Sequence, residues 1–484
     1  MKNLSIVTIP NTKLMEVTQK VASFDNVLKN QIKDMVRTLR KEGGIGLAAN
    51  QLGFDNQVIV AEFKDPDGKE HIPLSIYINP EIVRYSEKQE CLEEGCLSVP
   101  KIELEIDRPE AIKIRYQDQA GKKYKIAPKG LIGRILQHEI DHLNGIVFTE
   151  RAKDQFFIKF PEFKNIKIAF FGSGEFAAII LEGLILLGLN LDIYTEESKP
   201  SGRDQKIKLT PVAEIANKFR KDFFEIEASQ VSSKVNRGGE MHGQGRAERL
   251  DPISSLGKSR SVLLTDTGER PFDLLICSDF GQKIPKNILN KAKITAINVH
   301  PSLLPKYLGP TPIQAAILNG DQTTGVSVIR MVEKIDEGPI YSQIETEILK
   351  NDIYPTLRDR LATLGLKLVI HTLPKLVRDE LEPMNQDLSK KIMTHKFTKT
   401  DGEIDWAQNI KDIDRKIRAF FPWPGTYTFV DNKRLIIHEA HIKDSKLVLD
   451  IIQLEGKKPI EFKQFLQGFK GQKPEWFAKI KLSN

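Results

Sequence analysis

Residues 166–194, IKIAFFGSGEFAAIILEGLILLGLNLDIY, decide the fold of the larger part of this 484-residue chain. Their pattern predicts a strand at Ile166–Phe171, a helix at Phe176–Leu187 and a second strand at Leu191–Tyr194. Further strand patterns at Phe272–Cys277 and Thr295–Val299 extend this βαβ unit, which predicts an α/β doubly wound parallel-sheet domain, Rossmann-like in architecture. The glycine turn at residues 172–174 lacks the full dinucleotide fingerprint, so NAD is not implied.

The flanking regions follow different patterns. The first ~150 residues combine one helical pattern at Phe24–Leu39 with strand-like runs at Gln57–Phe63, Ile72–Ile78 and Ala111–Tyr116, which favours an α+β domain. The end of the chain has short strands at Thr426–Val430 and beyond, which favours a small, OB-like β-barrel. The predicted organisation is multidomain: a first domain at 1–152, a connector at 153–164, a doubly wound domain at 165–375 with a loop insertion at about 232–270, a linker at 376–396 and the barrel at 397–484.

Composition excludes several classes of protein. Hydrophobic residues make up 40% and charged residues 28%, which is ordinary for a folded protein and excludes general disorder. No apolar run is long enough for a membrane span, the N-terminus lacks a signal-like apolar core, and three cysteines cannot form a disulfide framework. We therefore expect a cytoplasmic protein with no membrane partner. The net charge of +7 permits a polyanionic partner without demonstrating one.

A metal-binding pattern lies near the end of the first region. Residues 138–142, HEIDH, form an H-E-x-x-H motif in a helical pattern, which places His138 and His142 on one helix face and Glu139 beside them. Cys96, in the segment EGCLS at 94–98, supplies a thiolate, and three such ligands leave one position open, as catalytic metal sites require. The alternatives are a chance match on a surface helix and a cysteine that is simply a small buried hydrophobe.

Together with the segment GIGLAANQ at 44–51, these motifs resemble peptide deformylase over residues 1 to about 150. The resemblance implies that Cys96, His138 and His142 hold Fe²⁺, for which Zn²⁺ or Ni²⁺ can substitute, and that Glu139 is the general acid and base. It also implies that Gln51 and the backbone N–H of Leu97 stabilise an oxyanion, while Gly46 lets the substrate backbone approach closely. One departure is that relatives usually continue into a longer C-terminal helix, whereas the connector is predicted to start by about Glu150.

A second constellation follows the predicted strand at Thr295–Val299. The segment NVHPSLLP at 298–305 places Asn298 and His300 on one side of a strand's carboxyl end, where open α/β sheets bind ligands. Asp336 lies in a later turn, KIDEGP at 334–339. Taken singly, the histidine could cap a turn, the proline–leucine run could be a rigid connector and the aspartate could be an ordinary turn residue.

Taken together, these segments resemble the formyltransferases that use 10-formyltetrahydrofolate as formyl donor. The resemblance implies that Asn298, His300 and Asp336 form the catalytic trio. His300, oriented by Asp336, would manage the proton, and Asn298 would bind the formyl oxygen. It further implies folate contacts at five positions: Ser302, Leu303, Leu304, Pro305 and Gly281.

Three further stretches narrow the resemblance to methionyl-tRNA formyltransferase: the opening strand and turn at 168–176, the basic loop KPSGR at 199–203 with the lysines that follow, and residues 404–425 in the last region. Arg203, Lys206 and Lys208 would contact tRNA phosphates, although any single lysine could be a solvated surface charge. From Phe397 onward, 16 lysines and arginines face 12 aspartates and glutamates, so this region is basic. Relatives often have arginine where this chain has Leu308, and proline where it has Gly174.

The predicted protein is a fusion of two enzymes of N-formylmethionine metabolism. Its partners would be initiator Met-tRNA and formyl-Met nascent peptides, including those at the ribosome. Two alternatives stay open at this point. The transferase half could formylate a different amine, such as an amino sugar nucleotide, or one half could be a non-catalytic binding module.

Overall fold

The chain divides into two compact units, each described here by itself. The computed structural model describes residues 4–65, 71–201, 206–226, 259–262, 271–469, 471 and 474–480. One unit comprises Met1–Ile166 and Glu182–Asn190, and the other comprises Lys167–Leu181 and Leu191–Asn484.

Strands of the N-terminal region form antiparallel sheets. Among the described residues, one sheet has five strands in the order β1-β2-β3-β6-β7, and β4 pairs with β5 as a separate hairpin. Antiparallel pairing agrees with the predicted α+β class. The strands are β1 (Gly46–Ala48), β2 (Val58–Lys64), β3 (His71–Tyr85), β4 (Gln89–Cys96), β5 (Val99–Pro109), β6 (Ile112–Gln117) and β7 (Lys123–Ile126).

Three helices pack with these sheets: α1 (Asn26–Glu42), α2 (Gly130–Leu143) and α3 (Phe148–Lys159). Helix α1 starts where the Asp25 carboxylate accepts hydrogen bonds from the first free N–H groups, and it ends at Gly43 in the left-handed conformation. Helix α2 is buried along most of its length, and its apolar side packs on the sheet. The side chains of its H-E-x-x-H motif are therefore shielded from bulk water.

Helix α3 extends into the predicted connector. The sequence of residues 150–164 shows no clear period, but α3 runs to Lys159 and a 3₁₀ helix follows at Pro161–Lys164. The physical reason is the four-residue spacing of Phe148, Ala152 and Phe156, which are all buried. Charged residues between them hide this apolar side in the sequence.

The second unit contains a large mixed sheet. Within the described residues its strand order is β13-β12-β9-β8-β14-β15-β16-β17. Its strands are β8 (Lys167–Gly172), β9 (Asn190–Glu196), β12 (Phe223–Ile226), β13 (Ser259–Val262), β14 (Phe272–Ser278), β15 (Ala292–His300), β16 (Thr323–Arg330) and β17 (Ile340–Glu347), and a small hairpin joins β10 (Lys199–Ser201) to β11 (Lys206–Lys208).

Helices cover both faces of this sheet, as in doubly wound folds. The helices of this region are α4 (Glu175–Leu186), α5 (Pro211–Lys218), α6 (Lys286–Leu289), α7 (Pro312–Asn319) and α8 (Tyr354–Val377). Ile284 and Ile288 pack with Phe171 and Leu275 on one face, while Gly365 of α8 lies against Val299 on the other. The carboxyl end of β15 therefore emerges between packed layers, where a ligand site is expected.

Two expectations for this sheet need correction. The sheet is not wholly parallel, because β16 and β17 pair antiparallel with their neighbours. The predicted loop insertion at 232–270 contains a strand, since β13 pairs parallel with β12. This edge strand reads Ser-Arg-Ser-Val and lacks the apolar run by which buried strands are recognised. The other residues of the insertion lie outside the described residues.

The last region contains a four-stranded antiparallel sheet within the described residues, in the order β18-β19-β20-β21. Its strand β18 (Thr426–Val430) has the predicted bounds. Helices and strands share one apolar core, in which Trp406 stacks on Trp476. The remaining elements are α9 (Ile410–Phe420), β19 (Lys433–Lys443), β20 (Lys446–Leu454), β21 (Ile460–Glu461) and α10 (Phe462–Gly468).

In the part of the chain that the structure describes, none of the helices combines the length and the apolar character that crossing a bilayer requires.

Candidate active sites

The predicted metal ligands lie together. Cys96 is the last residue of β4, and His138 and His142 are one turn apart on α2. One ligand atom from each lies within 4.8 Å of the others, and Cys96 Sγ is 3.1 Å from His142 Nε2. Both histidines are buried, and the cysteine is partly buried. One thiolate and two imidazoles form a donor set that fits a divalent transition metal.

A buried ionic network supports these ligands. Glu94 Oε2 lies 2.9 Å from His138 Nδ1, so the Nε2 atom of His138 is the one left for a metal. Arg108 donates to both Glu94 oxygens, at 2.6 and 2.9 Å, and to Asp141 at 2.6 Å. Arg134 adds a 3.0 Å bond to Glu94. Burial alone would raise the pKa of Glu94, but the bonds from His138 and Arg108 outweigh it and hold that pKa well below its usual range.

Glu139 lies on α2 between the two histidines and is 4% exposed. Burial raises the pKa of Glu139 to about 7, so this carboxyl group can take up and release a proton near neutrality. Its Oε2 atom has no hydrogen-bond partner within the described residues. A Cβ at position 46 would lie 2.6 Å from Glu139 Oε1, so Gly46 leaves the space that this carboxylate occupies.

Gln51 faces the metal ligands from a 3₁₀ helix at Ala49–Leu52. Its Nε2 atom is 3.5 Å from Cys96 Sγ and 3.2 Å from Ser98 Oγ, and its Oε1 atom accepts a 2.8 Å bond from the Ala48 N–H. The amide hydrogens therefore point toward the cysteine. Leu97 follows Cys96 directly, and its side chain packs against the core around α1.

The structure also brings together Asn298, His300 and Asp336. Asn298 Nδ2 donates to Asp336 Oδ1 at 3.1 Å, and His300 Nδ1 lies 3.7 Å from Asp336 Oδ2. His300 is 5% exposed, and its Nε2 atom is 2.9 Å from the Tyr307 carbonyl oxygen. Because a carbonyl can only accept, Nε2 carries the hydrogen and Nδ1 is the ring atom that can take a proton.

The loop after β15 holds the carboxylate of this trio. Gly309 donates its N–H to Asp336 Oδ2 at 2.8 Å. The preceding Leu308, where relatives often have arginine, is fully buried and packs with Leu304 and Ile340. An apolar residue here anchors the loop by burial and contributes no charge to the site.

The predicted folate contacts have diverse environments. Ser302 is fully buried and its hydroxyl bonds to the Lys306 carbonyl at 2.6 Å, and Leu304 is buried in the loop core. Leu303 is partly buried, and Pro305 accepts a backbone bond from Ile392. Gly281 follows β14, where an added Cβ would lie 2.9 Å from Glu196. The structure therefore places these five residues near β14 and β15 but gives several side chains structural contacts.

The predicted tRNA contacts lie on the β10–β11 hairpin. Lys206 and Lys208 begin and end β11, and Lys208 is exposed. Arg203 lies outside the described residues. Gly174, where relatives usually have proline, donates to the Asp279 carbonyl, and an added Cβ would overlap the Asp279 side chain.

Several residues of these sites were missed by sequence reasoning. Glu94 stands two residues before the predicted cysteine ligand, and a carboxylate on the same side of that strand was an available signal. Arg108 and Asp141 gave no signal, because their pairing joins distant parts of the chain. The carbonyl of Tyr307 and the N–H of Gly309 are main-chain groups, which no side-chain motif reveals.

Comparison with known protein families assigns both parts of the chain. Residues 3–156 match the family model of polypeptide deformylase. Residues 166–373 match that of formyl transferase, and residues 396–446 match the formyl transferase C-terminal domain. Fold and sites thus define a chain that joins a metal-dependent hydrolase domain to a formyl-transferring enzyme.

Individual relatives identify the class of enzyme more precisely. The methionyl-tRNA formyltransferase of Lactobacillus delbrueckii subsp. bulgaricus is 31% identical over 326 residues, which are 62% of this chain and 94% of that protein. That of Marinobacter nauticus is 32% identical over 276 residues, 57% of this chain and 79% of that protein. A crystal structure of peptide deformylase from Thermotoga maritima is 34% identical and covers 31% of this chain and 99% of that chain, with a TM-score of 0.29. The chain belongs to the methionyl-tRNA formyltransferase family and carries a peptide deformylase domain before it.

Proposed function

We propose that this enzyme both attaches the formyl group to methionine and removes it. The first domain would remove formyl from the N-terminal methionine of nascent peptides by hydrolysis. The second would transfer formyl from 10-formyltetrahydrofolate to the amine of initiator Met-tRNA. The observation that carries the proposal is the presence of two separate sets of buried reactive groups, one with a metal donor set and one without. The three cysteines are free, which is usual in a reducing compartment and supports a cytoplasmic location.

In the deformylase domain, Cys96, His138 and His142 would hold Fe²⁺, with Zn²⁺ or Ni²⁺ as substitutes. When bound, the metal supplies Lewis-acid polarisation of water and of the formyl oxygen. Glu139, which can carry a proton near neutral pH, would accept the proton of the attacking water and pass it to the leaving amine. The Gln51 amide and the Leu97 N–H would donate to the developing oxyanion, and Gly46, which has no side chain, would leave room for the Glu139 carboxylate beside them.

In the transferase domain, the amine of Met-tRNA would attack the formyl carbon of the folate. His300 Nδ1 would receive the proton released by that amine, because Nε2 is engaged with the Tyr307 carbonyl. The Asp336 carboxylate, 3.7 Å away, would stabilise the resulting imidazolium. The imidazolium would then give that proton to the folate N10 as the bond between N10 and the formyl carbon breaks and tetrahydrofolate leaves. Asn298 has a second amide hydrogen, which would donate to the formyl oxygen as negative charge develops there.

Binding of the two transferase substrates would use the loops around this site. Ser302, Leu303, Leu304, Pro305 and Gly281 would shape the folate side, chiefly through their backbone. Arg203, Lys206 and Lys208 would bind tRNA phosphates. We also propose that the last region is an OB-like barrel that binds tRNA. Its basic composition, with 16 lysines and arginines against 12 aspartates and glutamates from Phe397 onward, supports this.

The test is to assay the full chain for both reactions. Wild-type protein should deformylate a formyl-Met peptide and formylate Met-tRNA in preference to an amino sugar nucleotide, which is the competing acceptor. Glu139→Gln should lose deformylation by about a hundredfold or more while retaining bound metal and full formyl transfer. His300→Ala should show the reverse pattern. Preference for the sugar amine would reject the acceptor assignment, and a half that is inactive in wild-type protein would be a binding module.

A further inference from the structure

The segment at residues 384–395, predicted as part of a linker, contacts both loops of the transferase trio. Met384 pairs with Ile340 through two backbone bonds, Ile340 N to Met384 O at 2.7 Å and Met384 N to Ile340 O at 2.8 Å. Further along, Leu308 N donates to the Ile392 carbonyl at 2.8 Å, and Thr394 N donates to the Leu308 carbonyl at 2.7 Å. A mere tether between two domains does not need bonds of this kind at both ends.

Gln386 holds the backbone of the aspartate turn. Its Nε2 atom donates to the Asp336 carbonyl at 2.7 Å and to the Gly338 carbonyl at 2.6 Å. Asp336 has a φ of +57°, a left-handed conformation that residues other than glycine adopt less readily. Two hydrogen bonds from one amide to this turn stabilise that conformation and so fix the direction of the Asp336 side chain.

Thr394 holds the other loop in a similar way. Its hydroxyl donates to the Leu308 carbonyl at 2.9 Å and accepts from the Thr311 N–H at 3.2 Å. Between these two bonds lies Gly309, with a φ of +102°, whose N–H donates to Asp336 Oδ2. An added Cβ at Gly309 would lie 3.0 Å from the Thr394 carbonyl oxygen, so the two strands of chain are in close contact.

The two sets of bonds converge on one carboxylate. Gln386 fixes the backbone of Asp336, and Thr394 fixes the loop whose Gly309 N–H binds Oδ2. We propose that segment 384–395 is a working part of the transferase site, in which Gln386 and Thr394 are positioning residues that set the Asp336 carboxylate beside His300. This inference rests on the proposed function of the trio.

The proposal predicts a loss of turnover without a loss of substrate binding. Thr394→Val keeps the shape of the side chain but removes both hydroxyl bonds, so kcat for formyl transfer should fall about tenfold while KM for Met-tRNA and folate stays nearly constant. Thr394→Ser keeps the hydroxyl and should stay within about twofold of wild type. Gln386→Leu removes both bonds to the aspartate turn and should lower kcat about tenfold as well.

Two controls separate positioning from general stability. Thr363→Val removes a threonine hydroxyl that bonds to a carbonyl of its own helix α8, and formyl transfer should be unchanged. Deformylation by the same full-length variants should also be unchanged, because it uses the other unit.

The proposal fails if Thr394→Val and Gln386→Leu keep wild-type kcat, if Thr394→Ser loses as much as Thr394→Val, or if only KM changes. Parallel loss of deformylation would indicate general unfolding and would also count against it. Failure of the wild-type chain to transfer formyl at all would instead reject the proposed function, so the two failures are distinguishable.

Discussion

The metal-ligand cluster and the transferase trio are held in place by different kinds of interaction. Around Cys96, His138 and His142, support comes from buried charges, with Arg108 bridging Glu94 and Asp141. Around Asp336, support comes from neutral donors, chiefly the Gly309 N–H and the Asn298 amide. A site that binds a cation can be surrounded by carboxylates as long as arginines balance them. The transferase trio has no cation to balance, and its carboxylate is held by neutral N–H donors of fixed direction.

The largest expected effect comes from removing the metal. A chelator of transition metals, used with Mg²⁺ kept in the buffer, should abolish deformylation completely because the Lewis acid is lost. Formyl transfer by the same sample should be unaffected, since the trio has no metal donor set. Both rates can be measured in one preparation, and readdition of Fe²⁺ or Zn²⁺ should restore the first. A loss of formyl transfer under these conditions would show that the transferase site also depends on a transition metal, contrary to the comparison.

The next largest effect is expected from Asp336→Asn. The change keeps the shape of the side chain but removes the negative charge that faces His300, so formyl transfer should fall about a hundredfold or more. Single-turnover transfer to Met-tRNA is the measurement. Asp412→Asn, at an exposed carboxylate on α9, is the matched control and should be neutral. Near-wild-type transfer by Asp336→Asn would mean that charge is not what this residue supplies.

Glu94→Gln tests the ionic side of the comparison. It weakens the bond that orients His138 and leaves Arg108 with less compensating charge, so metal affinity should fall about tenfold to a hundredfold. Metal titration followed by deformylation would show this. Glu90→Gln is the control, because Glu90 is on the same strand but its side chain is 42% exposed and lies 4.0 Å from Arg134. Unchanged metal affinity in Glu94→Gln would show that the network does not orient the ligand.

The smallest effect is expected from Lys208→Gln on the β10–β11 hairpin. Loss of one phosphate contact should raise KM for Met-tRNA a few-fold and reduce the slope of log affinity against log salt by about one. The salt series supplies the measurement, and Lys88→Gln, at an exposed lysine of the deformylase unit, is the control. An unchanged salt slope would identify Lys208 as an ordinary surface lysine.

The sequence predicted the parts of both sites that depend on local spacing. His138 and His142 are four residues apart on a helix, and Asn298 and His300 are two apart on a strand, so periodicity alone places each pair on one side of its element. The bounds of β18 were also predictable. The strand, helix and strand predicted at 166–171, 176–187 and 191–194 lie within one or two residues of the observed elements, because apolar runs and turn residues delimit them.

Other features depend on contacts between distant parts of the chain. The β4–β5 hairpin was missed because β4 carries three glutamates and only two apolar side chains other than Cys96, so apolar and polar residues do not alternate along it. Helix α3 was missed because its buried positions are interrupted by charges. The role of segment 384–395 is carried by backbone bonds and two ordinary polar side chains, which have no sequence signature.

The hydrogen bonds of Arg108 to Glu94 and Asp141 have a consequence for metal binding by this protein. Its guanidinium joins the hairpin that carries Cys96 to the helix that carries both histidines, and it does so entirely through bonds within the polypeptide. These bonds hold the segments that carry the three ligands together without involving a metal ion. We expect a site built in this way to accept another divalent transition metal without unfolding of the domain.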